Sequence, residues 1–428
     1  MMSKHRYAVL LTAVIVIGGF LLAGCSGNKE ASGEELVITI WRPENTDGIE
    51  KWWAERIALF NETYAGTYRA VQERFPKGGA QGYEDKINTA VISNSLPELI
   101  LVDGPSVASY AENDIIVPID EFVSAADKAD LLESVMEQNS YGGKLYTLSL
   151  WDSSVALFYN KKMLADAGIE APKTQAEAWT WDEFYGVVKQ LRTNDRFGCT
   201  FHTNSGQILY YYSPMLVQNG TDLMSPDGSA AEGYLNSPKT VEFLNWLKRF
   251  YDEKLVNIEP TPTEFADGKS AMLLGGANNI DTLNSKYPDL DWDVTYYPVS
   301  NSRVAATPTG SWTVGMTTNT KNKAAAFVLL DFMTNTDANI TGCPASGYLP
   351  PRKSSQQALP QYNNPPYRVF MDQLANSGAP RPRTPVFTVL NPTFGSVVSD
   401  VITGSNPKEK LDEAARRVDA DYQMNYAR

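Results

Sequence analysis

Between Leu36 and Asp103 the chain alternates extended and helical segments, and that alternation restricts its fold more than any other feature. Leu36-Val37-Ile38-Thr39-Ile40-Trp41 is a β-branched run of strand length. Ile49, Trp53, Ile57 and Phe60 then recur at helical spacing on one face. Tyr68-Arg69-Ala70-Val71 reads as a short strand and Tyr83 to Ile92 as a helix with Ile87 and Val91 one turn apart. Leu96-Pro97 breaks that helix before the apolar run from Glu98 to Asp103. Strands that look buried on both faces, each followed by a helix, predict a parallel sheet with crossover helices. In such sheets ligands sit beyond the carboxyl ends of the strands, where Trp41, Glu44 and Asp103 lie.

Further along, Gly143 to Asp152 and then Val155 to Tyr159 read as extended chain passing from one unit to another. Asn160 to Ile169 is a short helix closed by Gly168. Thr180-Trp181-Asp182-Glu183 is a capping box opening a helix whose inner face carries Phe184, Val187 or Val188, and Leu191. Ser237-Pro238 starts another, with Val241, Leu244, Leu247 and Tyr251 inward, and Asn322 to Met333 a third. From Leu349 to Pro392 prolines thicken, so this stretch is expected to be largely loop. Lys408 to Gln423 closes the chain as an amphipathic helix.

The N-terminus reads as an address. Lys4, His5 and Arg6 precede an uncharged run from Tyr7 to Ala23 that ends in Leu22-Ala23-Gly24-Cys25, the layout of a secretory leader over residues 1–24. Leu-Ala-Gly-Cys resembles the bacterial lipobox, which implies that Cys25 is lipidated and becomes the new N-terminus. Two acyl chains suffice for stable anchoring. Residues 25–35, polar and Gly/Ser-rich, read as a flexible tether. The folded body is therefore expected outside the membrane but held to it, on the cell surface or in the periplasm. Without Lys4 and Arg6 the 37 basic residues become 35 against 50 acidic, a balance of −15. That sign argues against nucleic acid or anionic headgroups as partners.

Chemistry is mostly excluded. Without the leader only His202 remains of the two histidines, in Cys-Thr-Phe-His-Thr-Asn, with no nucleophile motif around it. No His-pair metal site can be built, and no cofactor is expected. Gly268-Lys269-Ser270 mimics the end of a P-loop, but the required Gly is replaced by Thr263. Asp289, Asp291 and Asp293 alternate as on a solvated strand, and Val294 stands where a calcium loop needs Gly. Cys199 and Cys343 are available for a disulfide, which sequence leaves open. No segment carries a local hydrolase signature, so the chain is not expected to be an enzyme.

Several segments together resemble the family 1 extracellular solute-binding proteins, the carbohydrate-capturing lipoproteins of bacterial ABC importers. They are Leu157-Phe158-Tyr159-Asn160-Lys161, Ala167-Gly168-Ile169, Thr180 to Phe184, Phe265 to Met272, Thr309 to Met316, and Gly347-Tyr348-Leu349-Pro350, in family order. The resemblance implies an α/β periplasmic-binding-protein-like fold of two lobes, each a mostly parallel sheet flanked by helices, joined by a multi-strand hinge. Crossings are expected near Trp151, near Ala271 and inside or just after the helix ending at Met333. These divide the chain into 36–151 plus 271–332 and 152–270 plus 333–428. It further implies a monomer that closes over a sugar and docks on importer membrane subunits. The alternatives are capture of a peptide or polyamine, or a surface glycoside hydrolase.

A sugar offers flat C–H faces and a rim of hydroxyls, so its site needs aromatic plates beside carboxylates and amides. Strand ends and crossings then put forward Trp41, Glu44, Asp103, Trp151, Asp152, Tyr212 from the Tyr210–Tyr212 run, Gly276, Asn278, Trp312 and Arg383. Arg383, were it in the cleft, would favour an acidic sugar.

Overall fold

The structure is a computed structural model and describes residues 35–77, 82–203 and 205–427. Cys25, the leader and all but the last residue of the tether lie outside the described residues. No helix among those described is long and apolar enough to cross a membrane.

Strands β1 (Leu36–Pro43), β2 (Tyr68–Phe75) and β3 (Leu99–Asp103) pair in parallel, with β1 in the middle. The helix Asp47–Thr63 between the first two buries Ile49, Trp52, Trp53, Ile57 and Phe60, the apolar stripe its spacing announced. Strands β4 (Thr147–Ser149) and β8 (Trp312–Met316) complete this sheet in the order β2-β1-β3-β8-β4, with β8 antiparallel to both neighbours. A second sheet has β5 (Val155–Asn160) between β6 (Met272–Gly276) and β7 (Trp292–Thr295). Both of its pairings are antiparallel, and parallel contact survives there only in bridges such as Phe197–Ser270 and Thr200–Leu273. The mostly parallel pattern therefore describes the three strands that open the first lobe and not the second sheet.

The passages between lobes are traced by strand ladders and helix contacts. Leu150 N–H still bonds the Trp312 carbonyl of the first sheet, while the Ser153 hydroxyl already meets that of Tyr210, so the first passage is Leu150–Ser153. The second is not at Ala271, because β6 pairs with β5 along its length; the chain returns at Thr309–Ser311, just ahead of β8. The third is neither inside nor just after the helix ending at Met333. Helix Thr336–Ser346 stays on the first lobe, where Trp52 donates its Nε1–H to Thr341 Oγ1 at 3.0 Å. Helix Lys353–Ala358 is held there too, with Asp130 accepting from the backbone and hydroxyl of Ser354 at 2.8 and 2.6 Å. Only helix Tyr367–Ser377 joins the second sheet, through Gln373, which donates to the Val155 carbonyl and accepts from Tyr297 N–H. Sequence contrast could not reveal this, since strands of both sheets share one composition.

Local signals translate well. Thr180 and Glu183 form the reciprocal capping box, and Ser237 caps Pro238–Asp252. The proline-rich stretch is not mainly loop. It holds Lys353–Ala358, Tyr367–Ser377 and the long helix Phe387–Ile402, with Pro392 inside the last. Cys199 and Cys343 are both buried and free, Cys199 in the second lobe and Cys343 on helix Thr336–Ser346.

Candidate functional site

The two lobes meet at a hinge organised around one buried carboxylate. Asp152 exchanges backbone hydrogen bonds with Leu349, at 2.7 and 2.9 Å, which ties the first passage to the chain after Ser346. Its side chain accepts from Ser153 N–H at 2.7 Å and Gly310 N–H at 2.8 Å, and from the Thr309 hydroxyl at 3.2 Å. It is thus bonded to the first and second passages at once. Gly310 has φ +101°, and a Cβ there would stand 1.8 Å from Gln138 Oε1. Glycine is required at that turn.

Above the hinge lies an interlobe cleft of about 520 Å³. Asp103 and Trp312 are directly opposite in the antiparallel β3–β8 pair, so both side chains rise from one face of the first sheet. Tyr83 anchors the adjoining helix Tyr83–Ile92 by donating to the carbonyls of Trp41 and Leu101, at 3.0 and 2.7 Å. That places Glu84 at the cleft, where it accepts from the Tyr110 hydroxyl at 2.6 Å and burial raises its pKa. The Tyr83 ring also meets Trp312 edge-on, at 6.2 Å between centroids. From the second lobe come Tyr210 and Tyr211 of helix Ser205–Gln218, together with Gly276, Asn278 and Arg381. Tyr348 forms part of the floor, stacked at 5.6 Å and 10° on Trp151 beneath it. Ser153 links floor to hinge: its hydroxyl lies 2.8 Å from that of Tyr210 and donates to the Gly310 carbonyl at 2.6 Å. The result is aromatic faces alternating with charged and amide groups around one cleft.

Of the residues put forward from sequence, Asp103, Gly276, Asn278 and Trp312 come together here. Six do not line the cleft. Trp41 is buried against Phe75, 5.1 Å away, with Lys86 over its ring. Glu44 is exposed at the strand's exit. Trp151 and Asp152 are hinge core, one layer below the surface a ligand would touch. Tyr212 is buried in the second lobe and donates to the His202 carbonyl at 3.2 Å. Arg383 lines a separate cavity of about 280 Å³ and pairs with Glu137 at 2.8 Å. The arginine in the cleft is Arg381, whose guanidinium grips both Asp103 oxygens at 2.9 and 2.8 Å. Sequence reasoning missed Arg381, Tyr348 and Ser153. Tyr348 sat unused in Gly347-Tyr348-Leu349-Pro350, and Ser153 fell between the extended segments ending at Asp152 and beginning at Val155.

Two buried groups titrate in opposite senses. Burial raises the Asp152 carboxyl to about 6, outweighing the hydrogen bonds from Ser153, Gly310 and Thr309. Burial likewise lowers His202, stacked on Tyr211 at 3.7 Å, to about 4. Asp152 binds more protons folded than unfolded between about pH 4 and 6, so the stability it contributes is greatest at the acid end and declines through that window. His202 does the reverse: the folded chain binds fewer protons from about pH 4 to 6.5, so stability falls as pH drops. Each effect is about 3 kcal/mol, and in the wild type they oppose. In Asp152→Asn, stability relative to wild type should rise by about 3 kcal/mol from pH 4 to 6. Urea unfolding at each pH reads this, and a pH-independent difference would contradict it.

The family model for bacterial extracellular solute-binding proteins matches residues 55–368. A putative binding protein of Brucella abortus is 23% identical over 349 residues, 78% of this chain and 82% of that protein. The diacetylchitobiose-binding protein DasA of Streptomyces coelicolor is 22% identical, covering 97% of this chain and 98% of its own. Among solved structures, the GacH receptor of Streptomyces glaucescens superposes with a TM-score of 0.77 at 19% identity, over 92% of this chain and 100% of that one. A Listeria monocytogenes ABC substrate-binding protein in complex with cycloalternan gives the same TM-score at 20% identity, with the same coverages. The two-lobed frame, the cleft at its hinge and the match across most of the length agree: this chain belongs to the bacterial extracellular solute-binding proteins.

Proposed function

We propose that this protein captures a sugar or oligosaccharide in the interlobe cleft by hinge closure and delivers it to an ABC importer. The observation that carries this reading is the cleft's lining, where Trp312, Tyr210 and Tyr348 provide plates and Asp103, Asn278 and Arg381 provide acceptors and donors at their edges. Rings with C–H faces and peripheral hydroxyls are what such a surface recognises. A diacetylchitobiose-binding protein among its sequence relatives and a structural neighbour in complex with cycloalternan support the same ligand class. Closure follows from the sugar contacting both lobes at once, so that it binds the closed form better than the open one. The bending points are Leu150–Ser153 and Thr309–Ser311, steadied by Leu349. The sugar leaves chemically unchanged, since the site serves binding rather than turnover. Lipidation at Cys25 would keep the carrier near the importer's membrane subunits.

A thermal-shift screen across neutral, acidic and oligomeric sugars tests this. A true ligand at a hundred times its Kd should add about 2.7 kcal/mol of stability. No stabilisation by any of them would count decisively against carbohydrate capture.

A further inference from the structure

The Arg381–Asp103 pair joins the two lobes across the cleft. Asp103 ends β3 of the first lobe, while Arg381 follows Gly378–Ala379, which pairs with Thr307–Pro308 beside the second sheet. The contact is two-pronged, at 2.9 and 2.8 Å, with the guanidinium side chain only 9% exposed. Tyr210 and Phe387 lie under it, 5.3 and 5.9 Å from its carbon. Its Nε is buried with no acceptor among the described residues. The same side chain borders both interlobe cavities, so it forms the partition between them. Around the larger one, Lys77 lies over Trp312 and Glu84 stands near Asp103. Among the described lining residues the ordinary cations, Lys77 and Arg381, thus equal the carboxylates, Glu84 and Asp103.

We propose that the Arg381–Asp103 pair is the cleft's specificity determinant, a charge filter that admits neutral sugars and rejects acidic and basic ones. This rests on the carbohydrate reading and deepens it. A ligand carboxylate would have to take Arg381 from Asp103, leaving that carboxylate beside Glu84 with no counter-charge. An amine would take Asp103 and strand a guanidinium that is nearly buried. Breaking one partner of such a pair is costly because the other charge stays desolvated. A neutral sugar avoids both costs because it leaves the pair joined: its hydroxyls donate to the lone pairs of Asp103 that the fork leaves free, the carboxylate side chain being 29% exposed, and its oxygens accept from guanidinium N–H groups outside the fork.

The test is calorimetric titration of wild type, Asp103→Asn and Arg381→Gln with a panel of three kinds. The neutral members are maltotriose, cellotriose and N-acetylchitotriose; trigalacturonate is the acidic member and the chitosan trimer the basic one. Wild type should bind a neutral member and neither charged one. Asp103→Asn should move the acidic-to-neutral affinity ratio toward trigalacturonate by at least about ten-fold, and Arg381→Gln should do the same for the chitosan trimer. Wild type binding a charged member as well as a neutral one overturns the filter. So does either variant, folded by circular dichroism, that keeps the wild-type ratio. Should a variant fail to fold, the wild-type panel alone decides. Binding of no sugar at all would instead sink the carbohydrate reading, and the filter with it.

Discussion

Trp312→Ala should weaken sugar binding by about 30- to 150-fold, the effect of removing a central aromatic contact of about 2–3 kcal/mol. The indole lies at the cleft, with its ring edge to Tyr83 and Lys77 over its face. Its backbone does separate work: the Trp312 carbonyl accepts from Leu150 N–H at 3.2 Å, and that bond survives any side-chain change. The fold should therefore keep its melting behaviour while affinity falls. Trp312→Phe, which retains a flat apolar face, should recover most of the loss. Titration of all three proteins with the same sugar decides the matter. A Trp312→Ala affinity within about three-fold of wild type, well under 1.4 kcal/mol, would remove Trp312 from the binding surface.

Asp152→Ala should act on stability, by about 3–5 kcal/mol. The side chain is 1% exposed and accepts from Ser153 N–H, Gly310 N–H and the Thr309 hydroxyl. Alanine strands these donors in a dry hinge, and each buried donor left without a partner costs about 1–3 kcal/mol. Asp152→Asn keeps an acceptor oxygen and should cost less. Chemical denaturation at pH 7 separates the two. If Asp152→Ala costs no more than an ordinary surface substitution, about 0.5 kcal/mol, the hinge is not organised around this carboxylate.

The elements most legible in the sequence were those whose signal is local. The helix face from Ile49 to Phe60, the capping box at Thr180 and Glu183, and the strand ending at Asp103 all follow from neighbours within a turn or two. What pairs with what was less legible. Met272–Gly276 looks equally fit for either sheet, and only its ladder with Val155–Asn160 assigns it. The site shows the same divide. Asp103 and Trp312 could be placed at strand ends, but Tyr212 was chosen from a run of three tyrosines without knowing that they lie on helix Ser205–Gln218. On a helix, successive residues turn by about 100°. Tyr210 and Tyr211 consequently reach the cleft, while Tyr212 enters the core. Arg381 and Arg383 pose a similar problem. Two residues apart in extended chain, they serve different cavities, and no local pattern distinguishes the one paired with Asp103.

The position of β8 bears on how the chain acquires its shape. It lies between β3 and β4, hydrogen-bonded to both, yet it follows them in sequence by well over a hundred residues that build much of the other lobe. As the polypeptide emerges, Leu99–Asp103 must wait as an unpaired sheet edge until Trp312–Met316 arrives. Such long-range pairing slows folding, and an open apolar edge invites association with other chains. Neither lobe is a contiguous piece of the gene. A fragment ending before Trp312 should therefore yield an aggregation-prone half rather than a small domain, and the first lobe closes only when most of the chain has been made.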